Sequence, residues 1–319
     1  MSSKKRGETT NNSEAPDGES AGGRAKGPVK LRSLRSISST RSSGTLHPLL
    51  RTFLYLVAYT VVGLIVAGLS VLLLPPTGNV VLQSTITAGL TLAAILGLTY
   101  LFRRYLDQRS LASLGLEAPG ALRLTARGLL VGIVLISIPL LVQLPFGTMT
   151  LTGDTAAAST VVAWGAGILL WLAFSAMAEE IVSRGYLLQN LAAGSTVPLG
   201  VLGSSAVFAW LHLANPNVSA ISLLNILLAG VFFSLYYLLE GSLWGPFGAH
   251  LAWNFGQGYL WGLPVSGITT FQENPVLDLE PGSPAWVSGG SFGPEGGIGI
   301  TAVLMISCLI LLVALYRRR

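Results

Sequence analysis

The segment VVAWGAGILLWLAFSAMAEEIVSRG, residues 161–185, decides how the chain folds. It carries no charge from Val161 to Met177 and then places two glutamates side by side. A charged side chain inside a membrane costs about 2.5–3.5 kcal/mol on insertion scales, so we expect these carboxylates to be paired with a cation or to have a functional role. The segment therefore predicts a membrane helix with functional carboxylates. The alternative, a helix that ends here in the cytosol, is disfavoured because acidic residues oppose the dipole at a helix C-terminus.

Helical spacing gives the two glutamates different surroundings. Residues four positions apart share a helix face, so Glu180 and Arg184 are predicted to form an ion pair. Glu179 is rotated by about 100° from its neighbour and lacks that partner. We therefore expect Glu180 to be structural and Glu179 to be the free carboxylate.

The composition is that of a membrane protein. Of the 319 residues, 51% are hydrophobic and 10% are charged, whereas soluble domains contain about 25% charged residues. A single cysteine, Cys308, excludes an internal disulfide framework and a thiolate metal cluster. Because a spanning helix needs about 20 apolar residues, the apolar runs predict an all-α fold, a polytopic membrane helix bundle. About eight transmembrane helices are predicted, near Thr52–Leu74, Val80–Phe102, Gly128–Leu144, Val161–Leu188, Pro198–Leu213, Ser219–Leu239, Leu243–Leu263 and Gly299–Tyr316.

The basic residues predict the orientation and the domain organisation. Ten of the nineteen Lys and Arg lie in residues 1–51, and the loops predicted to be outside contain none. The positive-inside rule then places both termini in the cytoplasm of a multi-pass cell-membrane protein. Residues 1–48 are predicted to be a disordered basic tail that contacts anionic lipid, with no nucleic acid expected. Residues 49–319 are predicted to form the transmembrane domain, and residues 264–298 a long outer loop.

Further polar residues lie inside the predicted helices. His250 and Asn254 are four positions apart and share a helix face, as Phe208 and His212 do. Small residues spaced four apart in the later helices allow those helices to approach closely. The sequence therefore predicts one cavity surrounded by four polar side chains, those of Glu179, His212, His250 and Asn254.

These groups together are suited to hydrolysis. A carboxylate can take a proton from water, an imidazole can share that task or hold a metal, and a second imidazole and an amide can donate to an oxyanion. No Ser or Cys nucleophile is indicated, because Ser183 has no evident base and Cys308 lies in the last helix. Two alternatives stay open: a membrane transporter that binds protons, ions or a small ligand with the same residues, and a non-catalytic scaffold.

Three motifs, in this order, resemble those of one family. EExxxRG at 179–185, FxxxH at 208–212 and HxxxN at 250–254 are similar to the motifs of CAAX prenyl protease type 2 and its bacterial relatives, the CPBP (Abi) intramembrane metalloproteases. By motif the resemblance covers about residues 150–265, the predicted protease-like core, and the helix layout extends it to most of the chain. The chain departs from the family at Ser183, where an aromatic residue usually precedes the arginine.

The resemblance implies an intramembrane endopeptidase that cleaves a membrane-associated or prenylated-type substrate. Glu179 resembles the catalytic glutamate that activates water, and His212 resembles its partner. His250 and Asn254 resemble the pair that stabilises the oxyanion or lies on the metal side. The remaining motif positions correspond to Glu180, Arg184 and Phe208.

The participation of a metal is left open by the sequence. Zn²⁺ would have Glu179, His212 and His250 as candidate ligands, but they do not form the HExxH arrangement of a typical zincin. The alternative is a glutamate-dependent protease without a metal. Straight helices would also separate His212 in depth from the other two residues, and a tilted, broken or later-starting fifth helix would bring them together.

Overall fold

Every apolar segment predicted to be helical is helical in the computed structural model, which describes residues 44–74, 78–117, 120–152 and 157–318. The α-helices are α1 (Pro48–Leu73), α2 (Val80–Leu101), α3 (Ala121–Gln143), α4 (Ala158–Glu180), α5 (Leu188–Gly194), α6 (Val197–Leu211), α7 (Ala220–Glu240), α8 (Trp244–Phe255), α9 (Ala285–Ser288) and α10 (Ile298–Arg317). Segments of π-helix are Phe102–Leu106 after α2, Ile181–Leu187 between α4 and α5, and Gly256–Leu260 after α8. The strands are β1 (Met149–Thr152) and β2 (Asp278–Pro281), which pair antiparallel.

The all-α polytopic membrane bundle is confirmed. Among the described residues, six helical segments are long and apolar enough to cross a membrane: Pro48–Leu73, Val80–Leu106, Ala121–Phe146, Ala158–Gly194, Ala220–Glu240 and Ile298–Arg317. The two other predicted segments are the shorter helices α6, with 15 residues, and α8, with 12 residues. At 1.5 Å per residue, α6 is about 22 Å long. This is shorter than a hydrocarbon core of about 30 Å, so the fifth predicted helix is not the straight, full-length helix for which a separation of His212 in depth is expected.

The predicted disordered tail lies almost entirely outside the described residues, which begin at residue 44. The first helix begins at Pro48, where a proline at the first helical position leaves no unsatisfied N–H. His47 precedes it, and its Nδ1 accepts a hydrogen bond from the N–H of Leu49 at 3.3 Å. The division into a tail of residues 1–48 and a transmembrane domain of residues 49–319 stays a prediction.

Glycines allow the helix that carries His250 to pack closely on α3. A Cβ added to Gly132 would lie 2.1 Å from the carbonyl oxygen of Ala249, and one added to Gly128 would lie 2.2 Å from that of Gly245. Only glycine fits between two backbones at that separation, because interiors are close-packed. The backbone of α3 therefore determines the position of α8, including His250.

A buried ionic cluster ties α1 and α2 to the segment that follows α4. The carboxylate of Asp107 accepts hydrogen bonds from Arg51 at 2.8 Å and Arg103 at 2.9 Å, and all three side chains are buried. The hydroxyl of Tyr186 also donates to Asp107, at 3.4 Å, and its ring stacks on Tyr55 with centroids 3.9 Å apart. Since Tyr186 belongs to the π-helical segment Ile181–Leu187, the cluster fixes that segment relative to α1 and α2.

The predicted outer loop is folded. Residues 264–297, which we call the cap segment, contain β2, α9 and three 3₁₀ turns, Thr270–Gln272, Gly290–Phe292 and Pro294–Gly296. Pairing of β2 with β1 places Thr152 opposite Asp278, and the Thr152 hydroxyl donates to the Asp278 carboxylate at 2.7 Å. The ring of Phe271 packs on Trp171 of α4, with centroids 4.4 Å apart. The cap segment is therefore fixed to the helices at several points.

Candidate active site

The two glutamates of the EExxxRG motif end α4, and Glu180 is fully buried. Its Oε1 accepts hydrogen bonds from Nη1 of Arg184 and from Nδ1 of His250, both at 2.9 Å. The ion pair expected from the i,i+4 spacing is therefore present. The contact with His250 joins residues far apart in sequence, so spacing alone did not predict it.

Arg184 lies behind the cavity, where aromatic rings enclose it. Its guanidinium carbon is 4.6 Å from the ring centroid of Phe208 and 5.1 Å from that of Phe233. Its Nη2 donates to the carbonyl oxygen of Gly230 at 3.2 Å. The cation is thus held by a carboxylate, two aromatic faces and a backbone carbonyl, an arrangement that uses the planar guanidinium in a way lysine could not reproduce.

His250 lies between the two glutamates. Its Nδ1 contacts Glu180, and its Nε2 lies 3.7 Å from Oε2 of Glu179, which is longer than a hydrogen bond. The Phe233 ring stacks against the imidazole with centroids 5.0 Å apart. Oε2 of Glu179 has no hydrogen-bond partner among the described residues, and the side chain is 37% exposed. Of the two glutamates, Glu179 is therefore the one that is partly exposed, and its role as the free carboxylate stays a prediction.

His212 is the C-terminal cap of α6 and is oriented by the helix itself. Its Nδ1 lies 2.8 Å from the carbonyl oxygen of Phe208, one turn earlier, and the two rings are in contact. Because a carbonyl can only accept, Nδ1 carries the proton in this contact. Its other nitrogen, Nε2, is left as an acceptor.

All four predicted catalytic side chains line one cavity of about 320 Å³. Glu179 reaches it from α4, His212 from the end of α6, and His250 and Asn254 from one face of α8. Glu180 and Arg184 do not line this cavity. Much of its wall is aromatic, contributed by Tyr59, Trp171, Phe208, Phe233, Trp253 and Phe271. A largely apolar pocket with a few convergent polar groups is typical of a ligand site.

Several residues that line the cavity were not identified from the sequence, among them Tyr59 and Glu295. Tyr59 of α1 lines this cavity together with a second one, of about 570 Å³, between α1, α2 and α4, and Glu179 also lines both. Glu295 reaches the cavity from the cap segment. No local motif marks either residue. The only signal for Glu295 was a carboxylate in a Gly-rich loop.

The candidate metal ligands are not arranged as a metal site. Within the described ranges, no group of three His, Cys, Asp or Glu side chains is placed to hold a metal ion. One nitrogen of each histidine is already engaged: Nδ1 of His250 by Glu180, and Nδ1 of His212 by a backbone carbonyl. The Zn²⁺ site with Glu179 as third ligand stays a prediction, and the chemistry below is derived from the side chains alone.

One region of the chain matches a known protein family. Residues 159–256 match the family described as Type II CAAX prenyl endopeptidase Rce1-like. The matched range contains both glutamates, both histidines and the asparagine that line or support the cavity. No match was found among curated proteins or among solved structures.

Proposed function

We propose that this chain, whose residues 159–256 match the Rce1-like family, is a CAAX-type protease that cleaves peptide bonds in membrane-associated substrates by the direct attack of water. The observation that carries the proposal is that Glu179, His212, His250 and Asn254 line a single cavity. Among the described residues Oε2 of Glu179 accepts no hydrogen bond, and a membrane site that combines such a carboxylate with three hydrogen-bonding side chains is suited to hydrolysis.

Glu179 is the general base in the proposed reaction. Its carboxylate takes a proton from water while the water oxygen attacks the carbonyl carbon of the scissile peptide bond. His212, whose Nδ1 is bound to Phe208, offers Nε2 as a second acceptor for that water. Collapse of the tetrahedral intermediate breaks the C–N bond, and the proton held by Glu179 passes to the leaving amine. All atoms of water end in the two products.

His250 and Asn254 stabilise the oxyanion in this mechanism. Asn254 lies one helical turn after His250, so its amide N–H and an Nε2–H of His250 can point at the same oxygen. Donation from Nε2 requires His250 to carry protons on both nitrogens, and the carboxylates of Glu179 and Glu180 flank the ring on its two sides. Glu180 is a positioning residue, since it acts through His250 and does not line the cavity.

The setting we propose is a cell membrane with both termini in the cytoplasm. This orientation follows from the absence of Lys and Arg in the predicted outer loops, with basic residues at both termini. The basic N-terminal segment would then contact anionic lipid headgroups. The substrate is a membrane-associated peptide or protein, prenylated or not.

Cleavage of a membrane-proximal peptide library, in liposomes, tests the proposal. Intact protein is compared with Glu179→Gln and with Glu273→Gln, a matched control at an exposed carboxylate of the cap segment. We expect Glu179→Gln to lower kcat by at least about a hundredfold, the lower end of the rate enhancement that a general base contributes. Glu273→Gln should leave kcat unchanged. Matched prenylated and unprenylated peptides identify the substrate class.

Two further outcomes would redirect the proposal. Loss of cleavage on addition of a chelator, restored by Zn²⁺, would show that a metal ion takes part in the reaction, with Glu179, His212 and His250 as the candidate ligands. Ligand binding or transport by the intact protein with no cleavage across the library would favour the transporter or scaffold instead.

A further inference from the structure

Glu295 is the charged residue that the cap segment contributes to the cavity. Its Oε2 accepts hydrogen bonds from the backbone N–H of Ser266 at 2.7 Å, from the Ser266 hydroxyl at 2.8 Å and from Nε2 of Gln257 at 3.3 Å. All three donors are neutral. Among the described residues, no Lys, Arg or His forms an ion pair with Glu295.

The hydrogen bonds of Glu295 connect it to the segments that follow the catalytic residues. Gln257 comes three residues after Asn254, and its Nε2 also donates to the carbonyl oxygen of Pro264 at 2.7 Å. The carbonyl oxygen of Ser266 accepts a hydrogen bond at 2.9 Å from Asn215, which lies in the turn after α6. Glu295 is therefore fixed on the wall of the cavity where the cap segment meets α6 and α8.

Two carboxylates, those of Glu179 and Glu295, line the cavity wall, and none of the residues that line it is Lys or Arg. In the proposed mechanism His250 carries a proton on both nitrogens, which offsets one of these two negative charges, so the wall keeps one net negative charge. Within the part of the chain that the structure describes, the guanidinium of Arg184 is bound to Glu180 behind the wall. A half-buried carboxylate without a cation carries a desolvation cost that a cation on the ligand would offset. The wall is thus electrostatically complementary to a cationic ligand.

We propose that Glu295 is a specificity-determining residue that binds a cationic group of the substrate peptide, either a Lys or Arg side chain or a free N-terminal ammonium. The inference rests on the proposed peptidase function and names its substrate class. The other explanation is that Glu295 only holds the cap segment on α8, because its hydrogen bonds to Ser266 and Gln257 would stabilise the cap without any ligand.

Matched peptides separate these explanations. A peptide cleaved by the protein is prepared with Lys at successive positions on both sides of the scissile bond, and again with norleucine, which has a similar length and no charge. Each is made with a free and with an acetylated N-terminus, so that the side chain and the terminal ammonium are tested separately. The ratio of kcat/KM for the charged and uncharged peptides is measured for intact protein, Glu295→Gln and Glu273→Gln.

We expect intact protein and Glu273→Gln to prefer the charged peptide at one position by about tenfold, the effect of one hydrogen bond to a charged group. Glu295→Gln should bring that ratio close to one and change kcat/KM for the uncharged peptide by less than about twofold, because a glutamine oxygen can still accept from Ser266. An equal loss for both peptides, or no preference in intact protein, would overturn the proposal.

Binding of the same peptides to Glu179→Gln, followed by fluorescence polarisation, makes the test independent of catalysis. A tenfold tighter Kd for the charged peptide that disappears in Glu179→Gln/Glu295→Gln supports the cation site. If intact protein cleaves nothing, the proposed function fails. The ratio of the Kd values for the uncharged and charged peptides still decides whether Glu295 binds a cationic group.

Discussion

Oε1 of Glu180 lies 2.9 Å from Nδ1 of His250 and accepts a hydrogen bond from Arg184 at the same distance. This one carboxylate oxygen therefore links α4 to α8 and supplies the negative charge that faces both Arg184 and His250. A carboxylate that binds one ring nitrogen fixes the orientation of a histidine, and so determines which nitrogen faces the reaction. Four predictions follow from this site and from the packing that supports it.

Glu180→Gln should lower activity without preventing folding. The glutamine oxygen can still accept from both partners but carries no charge, so the hydrogen bonds to Arg184 and His250 weaken and His250 is held less firmly. We expect kcat to fall about 10–100-fold with little change in KM, as for supporting partners of active-site histidines. Steady-state cleavage and a thermal unfolding curve are measured on the same sample, with Glu117→Gln at an exposed position as the control. Unchanged kcat would show that the contact has no catalytic role.

Arg184→Met should lower the free energy of unfolding more than substitution of any of the four proposed catalytic residues does. It leaves the buried Glu180 carboxylate without its cation, and breaking a buried ion pair costs about 3–5 kcal/mol. The free energy of unfolding in detergent is the measurement, with the exposed Arg123→Met as its control. The double variant Glu180→Gln/Arg184→Met should recover part of the loss, because no unpaired charge remains. Equal stability of Arg184→Met and Arg123→Met would contradict the prediction.

Gly132→Ala should affect activity through helix packing. The added Cβ would lie 2.1 Å from the carbonyl oxygen of Ala249, next to His250, so α8 must move away from α3. We expect a loss of about 1–3 kcal/mol in the free energy of unfolding, the usual cost of overpacking, together with a lower kcat. Gly63→Ala, where a Cβ meets nothing within 4 Å, is the matched control and should be neutral or slightly stabilising.

Asp107→Ala should destabilise α1, α2 and the π-helical segment together. It removes the carboxylate shared by two buried arginines, Arg51 and Arg103, and the acceptor of the Tyr186 hydroxyl. We expect a loss of about 3–5 kcal/mol in the free energy of unfolding. Hydrogen exchange should become faster in Ile181–Leu187 as well as in α1. If only the exchange of α1 changed, the cluster would not hold the catalytic segment.

Local features of the site could be predicted from the sequence. The Glu180–Arg184 pair and the shared face of His250 and Asn254 depend only on helical geometry, which spacing specifies. The helices themselves follow from the length of the apolar runs, as for α1 and α10.

Features that depend on contacts distant in sequence could not be predicted. The bond between Glu180 and His250 joins two helices, and no pattern within either helix encodes it. Nothing in the residues IVSRGYL of Ile181–Leu187 distinguishes a π-helical segment from a continuation of the α-helix, although π-helical segments are frequent at functional sites. Glu295 belongs to a segment rich in Gly and Pro, whose fold depends on pairing with β1 and on contacts with the helices.

The length of α6 has a consequence for the access of water to the proposed active site. A helix of 15 residues, about 22 Å long, is roughly 8 Å shorter than an average hydrocarbon core. Such a mismatch is relieved when the bilayer thins locally or polar groups draw the interface inward. Since His212 is the residue at which α6 stops, such a response of the bilayer would draw the interface toward the histidine that we propose to be catalytic. Water would then travel a shorter path to the proposed hydrolytic site.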